Sequence, residues 1–373
     1  MDAAPFSRSR TLQLSRPFGR SLLLAGLFLI LFLSLTELVL RVAPVHFFLG
    51  APTLGSEHRQ FEQQWKRLEL YHAAYGPVEC IMVGDSTVMS NFSPGAFGDA
   101  FRQQTGEEIT CYNFGVGAFT VRGLSTLAGI LIREYSPQLL LVGVESLNFT
   151  VPRDEQGGAD LSRVPWARYQ LGEFTLEGWL YEHTYLYRYL GVLGQLVTFE
   201  VDYKEVLQAA ETERSVYEDG YSPLQGSGPL DVSAPPNPEI DHPYIEHYFA
   251  AHSPFRLLPE NLEALDKILA LDNLTTRIIL VEMPVTDTFY TFFGNGEQDY
   301  RMFIDTLSTK AATANISFWR IDDLQMLPYP TWFNYNHLNR DGAPIFSRWL
   351  GTKLGQERAQ TAGNSSDIDG TGE

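Results

Sequence analysis

The chain has 373 residues, 44% of them hydrophobic and 13% aromatic, enough for one large domain with appendages or at most two domains. Its formal net charge of −18 argues against a nucleic-acid partner, because phosphate binding needs a basic surface. Such acidity fits a soluble, self-repelling ectodomain and says little about fold.

Residues 21–40, SLLLAGLFLILFLSLTELVL, hold a single ionisable side chain, Glu37. At about 1.5 Å per residue, a helix of this length crosses a bilayer's hydrocarbon core. Arg8, Arg10, Arg16 and Arg20 precede it, opposed only by Asp2. The positive-inside bias therefore keeps residues 1–20 cytoplasmic and sends the C-terminal domain out. A cleaved signal peptide would have a shorter apolar region and a small-residue cleavage site. This run instead ends in Arg41-Val42-Ala43-Pro44, so an uncleaved single-pass anchor is expected. Glu37 lies near its outer end, within reach of the headgroups.

Residues 41–75 are polar and aromatic and read as a membrane-proximal stalk or helix. The domain proper is expected over 76–352. Short apolar runs at 79–84, 108–115, 138–144, 277–283 and 316–321 read as buried parallel strands. Between them, 94–106, 121–135, about 259–272 and about 297–314 keep helical spacing, and a last helix follows Asp341. Such alternation implies a doubly wound α/β layer with both sheet faces covered. Residues 150–255 interrupt it with an aromatic stretch and a Pro/Gly/Asp-rich segment, and an insertion this long is usually a lid, substrate wall or partner surface. From about Gly355, within a tail assigned to 353–373, the chain lacks apolar residues and is expected to be disordered.

Cys80 and Cys111 sit in the first two strands and read as two buried thiols, a disulfide being the lesser alternative across parallel strands. Gly84-Asp85-Ser86 closes the first strand, and ligands gather at the carboxyl ends of strands in open α/β sheets. Far downstream lies Asn334-Tyr335-Asn336-His337-Leu338-Asn339. A serine hydroxyl becomes a nucleophile when a base takes its proton, and histidine titrates in the right range.

Gly-Asp-Ser near the start and a D-x-x-H-like loop near the end resemble the SGNH/GDSL hydrolase superfamily. The phrase HLNRDGAPIFS (337–347) resembles its membrane-anchored, cell-envelope branch, which includes proteins of teichoic-acid D-alanylation and alginate acetylation. The resemblance covers roughly 76–352. It implies a flavodoxin-like three-layer fold with a parallel sheet, and a metal-free, cofactor-free hydrolase or acyltransferase. Ser86 would be nucleophile and His337 base, and the N–H groups of Ser86 and Gly115 would form an oxyanion hole. For Gly115 an ordinary tight turn is an equal reading.

Two positions depart from the pattern. Gly143-Val144-Glu145 stands where Gly-x-Asn is usual, and an ionised carboxylate cannot donate to an oxyanion; Asn148 is the substitute close in sequence, or else a turn cap. Asn334 stands where an aspartate usually orients the histidine. It can accept from Nδ1–H without stabilising imidazolium by charge. A Ser–His dyad, help from Asp341, and loss of catalysis remain the three readings.

His242, His247 and His252, with Asp241 and Glu246 beside them, lack the i, i+4 spacing that aligns metal ligands on a helix. They read as packing or solvated residues. Tyr181, Tyr185, Tyr187 and Tyr189 read as core before saccharide platform. Asn91, Asn148, Asn273, Asn315 and Asn364 begin N-x-S/T sequons, meaningful only in a glycosylating host. The functional expectation is thus an esterase or O-acyltransferase acting on an envelope or extracellular glycan. Its alternative is a non-catalytic domain binding glycan or partner proteins.

Overall fold

The structure, a computed structural model, describes residues 16–42, 52–56, 58–150, 160–197, 204, 216–240, 242–321 and 324–369. The apolar run forms helix α1 (Arg16–Val42), and its stretch Gly19–Val42 is long and apolar enough to cross a membrane. Helix α2 (Arg59–Tyr75) follows. Its Phe61, Trp65 and Leu68 recur at i, i+4 and i+7 and enter the core together with Leu54. The segment expected as a stalk is therefore part of the domain from Thr53 onward.

The alternation then runs β1 (Cys80–Gly84), α3 (Ser86–Asn91), α4 (Pro94–Thr105), β2 (Cys111–Gly115), α5 (Val121–Tyr135), β3 (Leu139–Val144) and α6 (Leu147–Thr150). Within the insertion lie α7 (Pro165–Gln170), α8 (Leu176–His183), α9 (Tyr185–Val197) and α10 (Pro243–His252). The pattern resumes with α11 (Pro259–Leu269), β4 (Arg277–Glu282), α12 (Glu297–Thr313), β5 (Ser317–Trp319) and α13 (Ala343–Asp369).

All five strands are parallel, in the order β2-β1-β3-β4-β5. β1, β2 and β3 are buried along their whole length, which explains their near-continuous apolar sequences. Pro94 and Gly106 bracket α4 as start and left-handed stop. Helix α4 packs on α13, and α5 on α11. The strand order reverses direction between β1 and β3, and in open α/β sheets ligands gather at the carboxyl ends of the strands beside such a reversal.

Two expectations change. Cys80 and Cys111 are direct partners in the β1–β2 register and form a disulfide with Cα atoms 4.4 Å apart. That spacing is at the short limit a disulfide bridges, so neighbouring parallel strands do offer the geometry. Helix α13 also runs on to Asp369, well past residue 352. Just past residue 354 side chains tie this helix to the domain. Here Glu357 accepts from Trp319 Nε1 (2.7 Å) and pairs with Arg277, while Arg358 pairs with Glu107.

Candidate active site

Ser86 is the first residue of α3, immediately after β1. Asp85 caps that helix: its Oδ1 accepts from Thr87 N (2.8 Å) and Thr87 Oγ1 (2.6 Å). An N-terminal helical N–H has no intrahelical acceptor, so the Ser86 amide is available to a ligand. Gly84 is required by close approach, because a Cβ there would stand 2.1 Å from Val88 Cγ2.

The histidine arrives on a tight loop before α13. Trp332 bridges Leu338, and Phe333 N donates to His337 O (2.8 Å). Asn91, at the end of α3, clamps this loop from the serine's own helix. Its Nδ2 donates to Asn336 O (3.1 Å), and its Oδ1 accepts from Leu338 N (2.8 Å). The result is Ser86 Oγ at 2.9 Å from His337 Nε2, across 251 positions of sequence.

Behind the ring, His337 Nδ1 lies 2.7 Å from Asn336 Oδ1 and 3.0 Å from Asn334 Oδ1. Both are acceptors only, so Nδ1 carries the proton and the Nε2 lone pair faces the Ser86 hydroxyl. Asn336 is itself fixed. Its Oδ1 also accepts from Tyr244 Oη (2.9 Å), and its Nδ2 donates to Tyr248 Oη. The two tyrosines sit one turn apart on α10 with rings stacked 4.4 Å apart. Desolvation of the imidazolium pushes His337 down to about 4, against the raising influence of the Asp85 carboxylate. The ring is thus a neutral base at pH 7.

The remaining expected residues are placed as follows. Asn334 accepts from the backbone amides of Asn336 (3.2 Å) and His337 (2.9 Å), an Asx turn, as well as facing Nδ1. Gly115 N donates to Asn113 Oδ1 (2.8 Å), and a Cβ on Gly115 would meet Met89 N at 2.1 Å. Its glycine serves close packing of α3 on β2, with no amide left for an oxyanion. Asn148 Nδ2 is engaged with Asp85 Oδ2 (2.8 Å) and Phe119 O (3.1 Å), and its Oδ1 with Glu145 N (2.9 Å). It ties the β3 end to the cap of α3 and spends its donors there. Asp341 is exposed and does not hydrogen-bond to His337.

Sequence reasoning passed over the turn at Gly117 and Ala118. His58 Nε2 donates to Gly117 O (3.0 Å), and Gly117 N donates to Gln60 Oε1 (2.7 Å). Ala118 is exposed with φ 59°, and a Cβ on Gly117 would lie 4.0 Å from Ser86 Cβ. A non-glycine residue at positive φ is strained, and it stands beside the nucleophile candidate.

A second serine–histidine pair lies deeper. Ser146 Oγ is 2.8 Å from His252 Nε2, and His252 Nδ1 donates to Tyr248 O (2.8 Å). Glu145 Oε1 is 2.8 Å from Ser146 Oγ. Burial and the nearby Asp85 carboxylate raise Glu145 to about 8, while burial lowers His252 to about 4. A protonated Glu145 donating to Ser146, which donates to neutral His252, satisfies every member.

Among the described residues no His, Cys, Asp or Glu group has metal-holding geometry. His242 caps α10, and Asp241 lies outside the described residues. Tyr189 is buried, Tyr181 packs edge-on against Tyr187, and the Tyr185 ring is covered by Arg41, Lys66 and Arg188. The sequon residues Asn91 and Asn148 are buried.

No protein-family model and no curated protein matches the chain. Among solved structures it is similar to a gut microbial diltiazem-metabolizing enzyme, at 12% identity and a TM-score of 0.35, over 74% of this chain and 46% of that one. It is also similar to an inhibitor-bound aryl esterase of M. smegmatis, at 13% identity and a TM-score of 0.31, over 76% of this chain and 99% of that one. The chain thus spans about half the length of the first of these, 46%.

Proposed function

We propose that this protein is a membrane-anchored SGNH-type esterase or O-acyltransferase that acts on a cell-envelope or extracellular glycan through a Ser–His acyl-enzyme. The observation that carries the reading is the 2.9 Å contact of Ser86 Oγ with His337 Nε2, the ring's other nitrogen being held by two amide oxygens. The arrangement fixes the tautomer needed by a general base.

In the first half-reaction Ser86 Oγ attacks the acyl carbonyl while its proton passes to His337 Nε2. The tetrahedral oxyanion is met by the Ser86 N–H and the Ala118 N–H, which take the parts expected of Gly115 and Asn148. Collapse breaks the ester bond, and the leaving alcohol departs with the proton from Nε2. Water or a saccharide hydroxyl then gives its proton to Nε2 and attacks the acyl carbon; collapse breaks the acyl–Oγ bond, releasing acid or new ester, and Oγ takes the proton back from Nε2. The α1 helix supports an envelope substrate, since it would keep the site close to a membrane surface.

A second reading rests on one observation: both acceptors behind His337 are neutral amides. In a serine protease the matching aspartate-to-asparagine exchange costs about 10⁴ in turnover. A domain that only binds glycan would retain the geometry without that charge. Labelling with a fluorophosphonate probe separates the two. Adduct formation on Ser86, lost in Ser86→Ala and in His337→Ala, supports the enzyme; a full chain that stays unlabelled leaves the binding domain.

A further inference from the structure

Helix α9 has two apolar faces. Tyr189 and Val192 are buried against the domain. Leu186, Leu190, Leu193 and Val197 recur at i, i+4, i+7 and i+11, one stripe of the helix, and the last three are exposed. Next to it, Leu176 and Trp179 on α8 and Phe174 just before it are also exposed. Neighbouring exposed apolar side chains of this kind, as opposed to scattered single ones, mark an interaction site.

What covers this surface follows from its attachment to α1. Glu37 Oε1 accepts from Tyr185 N (2.9 Å) and Glu37 Oε2 from Leu186 N (2.8 Å), so the carboxylate caps the first turn of α9. One turn on, Arg41 pairs with Glu37, donates to His183 O (2.5 Å) and stacks over the Tyr185 ring. These are the last turns of the stretch Gly19–Val42. If α1 spans the bilayer, the corner between α8 and α9 is bolted at the level where α1 emerges. The polar cluster of Glu37, Arg41 and Tyr185 then belongs at the headgroups, and the apolar stripe starting beside it meets acyl chains.

We propose that α8 and α9 form a membrane-embedded hairpin, with the Leu190–Leu193–Val197 stripe in the outer leaflet and Trp179 at its interface. The hairpin sets the height and tilt of the domain over the bilayer, so that the candidate site faces substrates held at that surface. The proposal rests on the membrane-anchor reading of α1 and extends it.

The test uses the full chain in phosphatidylcholine nanodiscs, with an environment-sensitive NBD label at Leu193→Cys, Leu29→Cys or Leu274→Cys. Residue 29 reports α1, and residue 274 is fully exposed in the polar loop after α11. Doxyl-labelled lipid is expected to quench residues 193 and 29 several-fold more than residue 274. Quenching at 29 without quenching at 193 overturns the hairpin while leaving the anchor intact. No quenching at 29 overturns the anchor itself, and the hairpin with it. A label at 193 that is aqueous in nanodiscs yet shielded in native membranes assigns the surface to a protein partner, against the proposal. Val197→Cys serves where Leu193→Cys fails to fold.

Discussion

The two serine–histidine pairs of this domain have nearly the same contact distance, 2.9 Å for Ser86–His337 and 2.8 Å for Ser146–His252. Their surroundings differ. Ser86 and His337 are only half-buried and lie beside an exposed turn, whereas Ser146 and His252 are fully buried. The deep pair even has the carboxyl group that the shallow pair lacks. Yet Glu145 is held protonated there, and no substrate can reach the serine. Access decides which constellation is a candidate site. The buried one instead braces Tyr248, whose hydroxyl orients Asn336 behind His337.

The largest expected effect breaks that comparison directly. Ser86→Ala should lower the turnover of a small aryl ester by about 10⁴-fold or more, as loss of a nucleophile does in serine hydrolases. Ser146→Ala should leave turnover within about tenfold while lowering stability by about 1–3 kcal/mol, the cost of unpaired buried groups. Steady-state kinetics and urea unfolding on the same samples read both. If the two alanines exchange effects, the site has been placed at the wrong pair.

A smaller effect tests the brace. Tyr248→Phe keeps the stacked ring but removes the acceptor that holds the Asn336 amide, which can then flip and present NH₂ to His337 Nδ1. We expect kcat to fall about tenfold with KM little changed, the sign of a positioning residue. A drop in KM affinity with unchanged kcat would assign Tyr248 to substrate contact instead.

The pH dependence separates the pairs again. His337, lowered to about 4, remains a free base in mildly acid solution, so kcat/KM should hold down to about pH 5, where an ordinary histidine would be largely protonated. Stability has its own profile. The two histidines are depressed in the folded state, so the unfolded chain binds more protons between about 4 and 6.5, and their contribution rises with pH across that window. Glu145 is raised to about 8, so its contribution is full below about 4.5 and is lost as pH rises to 8. Burial raises Glu62 to about 7 as well, so the two acids offset the two histidines up to about 6.5, and above it the midpoint for urea should fall toward pH 8. Glu145→Gln should flatten that upper limb, and a variant that keeps the full slope would show that Glu145 is not its source.

Much of this frame was legible in the sequence. Short apolar runs ending on glycine gave the strand positions, and the strand-end rule put Ser86 and His337 together. Asn336 was not legible as the nearer partner of His337. The familiar spacing points three residues upstream, and nothing local reveals that Tyr244 and Tyr248, some ninety residues away, turn the adjacent amide inward. The Gly117–Ala118 turn was missed for a similar reason, since its φ and its supports from His58 and Gln60 exist only after α2 docks. The disulfide was misjudged because strand register leaves no periodic trace.

The smallest expected effect concerns the charge missing behind the histidine. Asn334→Asp would put a carboxylate 3.0 Å from His337 Nδ1, at the half-buried edge of the loop. It would stabilise the imidazolium formed as Ser86 attacks, and it keeps Oδ1 as acceptor for the amides of Asn336 and His337. The gain should stay below about tenfold in kcat. Asn336 Oδ1 at 2.7 Å already holds the tautomer, so only charge is added, and it is added where water screens it. The acid limb of the pH profile should move up with it, because a carboxylate raises the affinity of His337 for its proton. A rise in kcat together with that shift supports an acyl-transfer site running on amides alone. A silent substitution with an unmoved limb would reduce Asn334 to a turn residue and leave Asn336 as the sole partner. A fall in kcat despite the shifted limb would mean that the site needs His337 weakly basic, and that its neutral partners are part of how it works.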